Sequence, residues 1–142
     1  MNKEEHAIYA KLVNFLGKAL GENTEVVLQD VDEKIGIAAI ANGHVSGRKV
    51  GDAPSAFIME MVENKEYHES HRINFSSIAH NGKVLRSSTY FIRDDDKNLV
   101  GRLCVNTDIT EFPRMSEKIK DLSGCHRCDE GKVPEEKGLA FL

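Results

Sequence analysis

The hydrophobic pattern of the first twenty residues predicts an amphipathic helix. Apolar side chains recur there at steps of three and four, which places them along one helix face: Ile8, Leu12, Phe15, Leu16 and Leu20. Asn2 with Glu5 three residues later is the pattern of an N-terminal capping box, and Gly21 is a typical end signal. Because a stripe of this kind needs a partner, we expect the helix to join two copies of the chain, or else to pack on the chain's own sheet.

Runs of β-branched and aliphatic residues then predict strands. The first two cover residues 24–29 and 35–41, flank an acidic turn and are expected to form a hairpin. A glycine-rich loop follows and leads into a second helix, whose apolar residues are Phe57, Ile58, Met61 and Val62.

The middle of the chain has the pattern of a second hairpin. Residues 72–79 and 83–93 flank Asn81-Gly82, the strongest short-range hairpin signal. We expect a two-residue type I′ turn with positive φ at both positions. That turn would place Phe75 opposite Ser88.

A fifth strand over residues 99–108 and a last helix over residues 110–122 complete the predicted order. The order by itself indicates only an α+β fold. Two strands, a helical crossover and three further strands resemble the order of a PAS domain, which implies a PAS-like five-stranded antiparallel sheet with flanking helices. We divide the chain into an N-terminal helix, a sensor core, a linker helix and a flexible tail, with the boundaries 1–22, 23–109, 110–122 and 123–142.

Composition narrows the class of protein. The chain has 142 residues, enough for one domain, and no apolar run approaches the roughly 18 residues of a membrane span. Its acidic start does not have the pattern of a signal peptide, and three cysteines give no complete disulfide framework. We therefore expect a cytoplasmic protein with no membrane partner.

The charge distribution bears on nucleic-acid binding. The chain contains 23 acidic and 19 basic residues, for a net charge of −4, and no stripe rich in Lys or Arg. Proteins that bind nucleic acids need a basic surface, so we do not expect these residues to bind DNA by themselves.

The loop of residues 43–51 holds a candidate anion site. Ser46 supplies a hydroxyl and Arg48 a guanidinium that can hold a carboxylate through two hydrogen bonds. The loop also leads towards a helix N-terminus, which favours negative charge. The alternative is that the glycines only turn the chain and that Arg48 pairs with a nearby acid.

Polar side chains alternate with apolar ones on two of the long strands. Ser87 and Thr89 share one face of their strand, and Asn106 lies on one face of the next strand with Cys104 and Asp108. Pockets for small molecules combine a few polar groups with apolar walls, so these residues are candidates for one. The alternative is that they point to solvent.

Metal and catalytic signals are weak. Cys125 and Cys128 form a lone C-x-x-C, whereas zinc needs four ligands, so we expect an exposed thiol pair and leave open a site shared across a dimer. His68 and His71 are expected to lie on a solvated strand edge. No catalytic arrangement is recognisable, so we expect neither an enzyme nor a cofactor, with haem or flavin sensing as the weaker alternative.

Several segments resemble the YheO-like PAS domain of bacterial transcription regulators. They are FLG at 15–17, VVL at 26–28, IANGHVSGR at 40–48, LRSST at 85–89 and GRLCVNTD at 101–108, and the similarity extends over residues 5–110. The resemblance implies a sensory PAS domain followed by a helix-turn-helix domain, and some relatives resemble repressors that respond to amino-acid metabolism. Only 20 residues follow residue 122, too few for a helix-turn-helix module. The chain is therefore expected to be either a truncated regulator or a stand-alone PAS protein, and we expect DNA binding only through a domain absent from this chain.

The function expected from the sequence is therefore that of a sensory domain that signals as a homodimer. It would bind a small metabolite such as an amino acid or an organic acid, through Ser46, Arg48, Ser87, Thr89 and Asn106. The alternative is a dimerisation or protein-interaction module without a ligand, whose own side chains fill its cavity.

Overall fold

The computed structural model describes residues 1–31, 36–54, 56–64 and 69–124, and its elements follow the predicted order. The helices are α1 (Lys3–Leu20), α2 (Ala56–Glu63) and α3 (Phe112–Ser123), and a short 3-10 turn covers Gly43–Val45. The strands are β1 (Thr24–Asp30), β2 (Gly36–Ala41), β3 (His71–Ile78), β4 (Val84–Arg93) and β5 (Leu99–Asp108). In the described parts of the chain, no helix is long and apolar enough to cross a membrane.

The strands form one antiparallel sheet in the order β2-β1-β5-β4-β3. β1 and β5 are neighbours near its centre, and Val27 of β1 pairs with Ile40 of β2 on one side and with Cys104 of β5 on the other. The predicted α+β fold with a five-stranded antiparallel sheet is confirmed. This order brings residues from both ends of the chain side by side.

The two faces of the sheet differ in chemistry. On the face covered by α1, Val26 and Leu28 are fully buried and pack with Val13 of the helix. Burying one such side chain contributes about 1.5–3 kcal/mol. Successive side chains of a strand point to opposite faces, so Glu25 and Gln29 of β1 lie on the other face, here called the inner face.

Helix α1 packs on the sheet with only part of its apolar surface. Its N-terminus is capped as predicted, because the Asn2 side chain accepts a hydrogen bond from the backbone N–H of Glu5 at 2.9 Å. Leu16 packs against the buried core, whereas Ile8 and Phe15 are 65% and 63% exposed. The sheet therefore covers one side of the predicted stripe and leaves the other side in solvent.

The loop between β3 and β4 differs from the prediction. The N–H of Ala79 donates to the carbonyl of Lys83 at 2.8 Å, so residues 80–82 form a three-residue loop. Gly82 has a φ of +87°, but Asn81 is not among the residues with positive φ. The predicted type I′ turn is therefore wrong. The loop is a three-residue hairpin loop whose last residue, Gly82, is in the left-handed region.

The longer loop shifts the pairing of β3 with β4 by one residue. Phe75 pairs with Ser87 rather than with Ser88, as the two-residue turn required. The Asn81 side chain contributes to the difference, since its Nδ2 donates to the carbonyl of Val45 at 3.0 Å and so ties the loop to a distant segment. A shift of one residue moves a side chain to the other face of a sheet.

Gly82 gives a first testable prediction. Gly82→Val should lower the free energy of unfolding by about 1–3 kcal/mol, because a β-branched residue is strained at positive φ. Gly82→Asn is the matched control and should cost less, because Asn tolerates the left-handed region. Denaturant unfolding of the two variants measures the difference, and equal costs would show that backbone strain is not the cause.

The connection between β5 and helix α3 is held by hydrogen bonds of Thr110. The Thr110 hydroxyl donates to the Asp108 carboxylate at 2.6 Å and accepts from the N–H of Val84 at 3.0 Å. This hydroxyl, together with the N–H of Thr110 and the charge of Lys83, holds the pKa of Asp108 below its usual value. Helix α3 itself buries no residue and exposes an apolar row of Phe112, Met115, Ile119 and Leu122.

Candidate functional site

A cavity of about 790 Å³ lies between the inner face of the sheet and the loop of residues 46–53. Its walls come from β1, β3, β4 and β5, together with the loop that follows the 3-10 turn. The cavity lies on the opposite side of the sheet from α1. Glu25, which lines the cavity, alternates along β1 with Val26 and Leu28, which pack against the helix. Its volume lies within the ~300–1,000 Å³ range of small-molecule pockets.

The structure brings all five residues predicted from the sequence to this cavity. Its lining includes Ser46, Arg48, Ser87, Thr89 and Asn106. The strand register explains why the last three meet, because Ser87 pairs with Asn106 and Thr89 with Cys104. Ligand binding by these residues stays a prediction.

Most of these polar groups already have partners within the chain. The hydroxyls of Ser77 and Ser87 share a hydrogen bond of 2.7 Å, and the Thr89 hydroxyl contacts the Cys104 sulfur at 3.5 Å. Arg48 donates through Nη2 to the carbonyl of Ala53 at 2.6 Å. Arg48 therefore braces the loop, and none of the ion pairs found between described residues includes it.

Glu25 is a site residue that the sequence reasoning missed. It is only 1% exposed, and its carboxylate lines the cavity. The Ser46 hydroxyl donates to Oε1, and Nδ2 of Asn106 donates to Oε2 at 3.0 Å. Two predicted site residues thus hold a buried anion that was not predicted. The alternation of side chains along β1 could have identified Glu25, because it places this residue on the same face as Gln29.

Arg102 is the second residue that was missed. It is 7% exposed and lines the cavity. Its Nε and Nη2 contact the Cys104 sulfur at 3.2 and 2.8 Å, and Nη1 has no hydrogen-bond partner among the described residues. Cys104 itself is buried. Opposite Arg102, both polar atoms of the Gln29 amide are buried without a partner in the same described set.

These unpaired groups matter for binding. A buried polar group without a hydrogen bond costs about 1–3 kcal/mol, and more when it is charged. A polar group that supplied the missing partner would offset that cost at the Arg102 guanidinium.

Of the histidines and cysteines considered as metal ligands in the sequence, the structure describes His71 and Cys104. No group of three or more His, Cys, Asp or Glu side chains that could hold a metal ion occurs within the described ranges. His71 begins β3, is exposed, and shares a hydrogen bond of 2.8 Å with the Ser70 hydroxyl. His68, Cys125 and Cys128 lie outside the described residues.

Comparison with solved structures finds similar chains among light-oxygen-voltage domains. The dark structure of the blue-light photoreceptor Aureochrome1 LOV is 11% identical, with a TM-score of 0.45, and covers 78% of this chain and 93% of its own. An RNA-binding light-oxygen-voltage receptor is 8% identical, with a TM-score of 0.47, and covers 80% of this chain and 37% of its own.

Comparison of sequences identifies the family. The uncharacterized protein YheO of Escherichia coli strain K12 is 28% identical over 103 residues, which are 71% of this chain and 43% of that protein. An uncharacterized protein of Haemophilus influenzae is 26% identical over 110 residues, 75% of this chain and 49% of its own. The chain thus spans less than half the length of these relatives. A profile of the YheO-like PAS domain matches residues 2–124, and the chain belongs to the YheO-like PAS family.

Proposed function

We propose that this chain is the sensory domain of a bacterial transcription regulator and that it binds a small metabolite in the inner-face cavity. The observation that carries the proposal is Arg102, a buried cation at the cavity wall whose Nη1 lacks a partner among the described residues. PAS folds that serve only as scaffolds can fill this space with apolar side chains. A buried guanidinium there has a cost that a bound anionic group offsets.

The regulatory part of the proposal rests on the family and on charge. The chain carries a net charge of −4 and no basic stripe, so contact with DNA is assigned to a part of the regulator outside these residues. The relatives are more than twice as long as the matched segment, which leaves room for such a part. A DNA-binding regulator of this kind works in the bacterial cytoplasm.

A route for the signal leads along β5. Arg102 and Asn106 lie on this strand, and the strand ends at Asp108, where the Thr110 hydroxyl links it to α3. A ligand that binds Arg102 therefore contacts β5, the strand that leads into the exposed helix α3. No residue of helix α3 is buried among the described residues, so its position can change without loss of the core packing that they form.

A thermal-shift screen of amino acids and short organic acids on the 142-residue chain tests the proposal. At least one compound should raise the melting temperature, and Arg102→Met should weaken its affinity about ten- to a hundredfold, the usual loss for a charge-assisted hydrogen bond. Arg48→Ala removes a cation from the same cavity whose guanidinium already has a backbone partner, so it should have a smaller effect. No stabiliser in a broad metabolite library would contradict the proposal.

The exposed apolar strips favour a second candidate function, dimerisation without a ligand. Ile8 and Phe15 on α1, and the row on α3, leave large side chains in solvent. Exposed apolar groups of this kind are typical of interaction surfaces. Dimerisation is compatible with sensing, and it would stand as the sole function if the screen found no ligand.

We expect α1 to form the dimer contact. Phe15→Glu places a charge in the middle of the exposed strip and should shift the chain from dimer to monomer in light scattering. Asn14→Glu adds the same charge to another exposed position of the helix and should leave the dimer intact. A Phe15→Glu chain that is still dimeric at micromolar concentration would assign the contact to another surface.

A further inference from the structure

Glu25 and Arg102 are the two charged side chains that the described part of the fold buries, at 1% and 7% exposure. Both line the inner-face cavity. Arg48 and Asp52 also line it, but they lie in the loop and are half-buried. Removing a charge from water is costly unless an opposite charge or several hydrogen bonds replace the water.

The two buried charges do not neutralise each other. Glu25 is held by neutral donors, the Ser46 hydroxyl and the Asn106 amide, and Arg102 contacts the sulfur of Cys104. Among the ion pairs found between described residues, none includes Glu25 or Arg102. The cavity therefore contains one buried anion and one buried cation, each without an opposite charge in contact among the described residues.

The strand register sets the spacing between these charges. Glu25 pairs with Asn106 and Arg102 with Gln29, so the two positions are four residues apart along the sheet. At about 3.3 Å per residue this is about 13 Å between backbone positions. The Arg102 guanidinium shortens the gap, because it reaches the sulfur of Cys104, which lies two residues nearer to Asn106. The remaining separation is about two residues along the sheet, ~7 Å.

We infer that the cavity is built for a small dipolar ligand, a molecule that carries both a carboxylate and an ammonium group. The carboxylate binds at Arg102, whose Nη1 has no hydrogen-bond partner among the described residues, and the ammonium group binds at the Glu25 carboxylate. The inference rests on the proposed function, since it specifies the metabolite that the sensory cavity takes. It moves the carboxylate subsite from the loop residue Arg48 to the sheet residue Arg102.

Binding of matched compounds to the unmodified chain tests the inference. The twenty standard L-amino acids and a set of short betaines are screened by thermal shift. Each compound that stabilises the chain is then compared by calorimetry with its deaminated acid and its decarboxylated amine. The dipolar compound should bind at least about tenfold more tightly than either single-charge analogue, because each analogue leaves one buried charge without a partner.

Two variants assign the subsites. Glu25→Gln should reduce the affinity for the dipolar compound to that for its deaminated acid, while the affinity for the acid itself is maintained. Arg102→Met should reduce the affinity for the dipolar compound to the affinity for the decarboxylated amine. Asp52→Asn is the control, since it neutralises a half-buried charge of the same cavity and should leave the ranking of the three compounds unchanged.

The outcomes separate this inference from the proposed function. A carboxylic acid without an ammonium group that binds as tightly as its dipolar counterpart, with no effect of Glu25→Gln, would overturn the inference and leave the sensory function in place. A best ligand without a carboxylate would overturn it as well. Absence of any ligand from a wider metabolite library would overturn both. If a variant does not fold, the affinities of the unmodified chain for the dipolar compound and its two single-charge analogues still test the inference.

Discussion

Asn42→Ala should lower the free energy of unfolding by about 2–4 kcal/mol, the largest effect expected from one exposed or half-buried position. The Asn42 side chain joins the end of α1 to the start of β1. Its Nδ2 lies 2.9, 3.0 and 2.8 Å from the carbonyl oxygens of Gly17, Gly21 and Thr24. These carbonyls lose their side-chain donor in the variant. The backbone adds to the cost, because Asn42 has a φ of +56°, which Ala tolerates poorly.

Asn42→Gly separates the two causes. Glycine adopts positive φ without strain but cannot donate to the carbonyls, so this variant should lose only the hydrogen-bond part, about 1–2 kcal/mol. Denaturant unfolding of both variants gives the comparison. If Gly and Ala are equally destabilising, backbone strain contributes nothing. If neither lowers the stability, the Asn42 side chain does not hold the helix to the sheet.

Gly17→Ala should destabilise the chain by about 2 kcal/mol, although Ala is the better helix former by about 1 kcal/mol. Gly17 lies where α1 crosses β2, and a Cβ added there would stand 2.4 Å from the Cβ of Ala41. No rotamer change relieves a contact between two Cβ atoms, so the helix has to move away from the sheet. Gly17→Val should cost about 3 kcal/mol or more for the same reason.

A reciprocal change in the sheet provides the control. Ala41→Gly removes the Cβ that a residue at position 17 would meet. The next atoms, Nδ2 of Asn42 at 3.6 Å and the Cα of Ala41 at 3.7 Å, are ordinary contacts. The double variant Gly17→Ala with Ala41→Gly should therefore be more stable than the sum of the single effects predicts. Strict additivity of the two changes in a double-mutant cycle would contradict this packing.

Local patterns predicted the strands well because alternation and turn residues act over short distances. The period of two along β4 and β5 placed Ser87, Thr89 and Asn106 on shared faces, and the structure places them in one cavity. The same local reasoning failed at Asn81-Gly82. The tie from Asn81 to Val45 comes from a segment 36 residues away, which no short pattern contains.

The charged residues of the site were missed for a related reason. Glu25 and Arg102 come from strands that are neighbours in the sheet but far apart in the chain. Their burial depends on the strand order, in which β1 and β5 meet near the centre, and not on the residues around them. Arg48 has a more conspicuous position in a glycine-rich loop, but its guanidinium is already bound to the carbonyl of Ala53.

We propose that the inner-face cavity of this PAS domain binds a small metabolite at Arg102. The most direct test is a two-dimensional amide spectrum of the isotope-labelled 142-residue chain, recorded before and after addition of the low-molecular-weight fraction of a bacterial cell extract. We expect chemical-shift changes centred on the cavity strands, at Glu25, Ser87, Arg102 and Asn106, and we expect these changes to be lost in Arg102→Met. An unchanged spectrum, or changes confined to the outer side of α1, would contradict it.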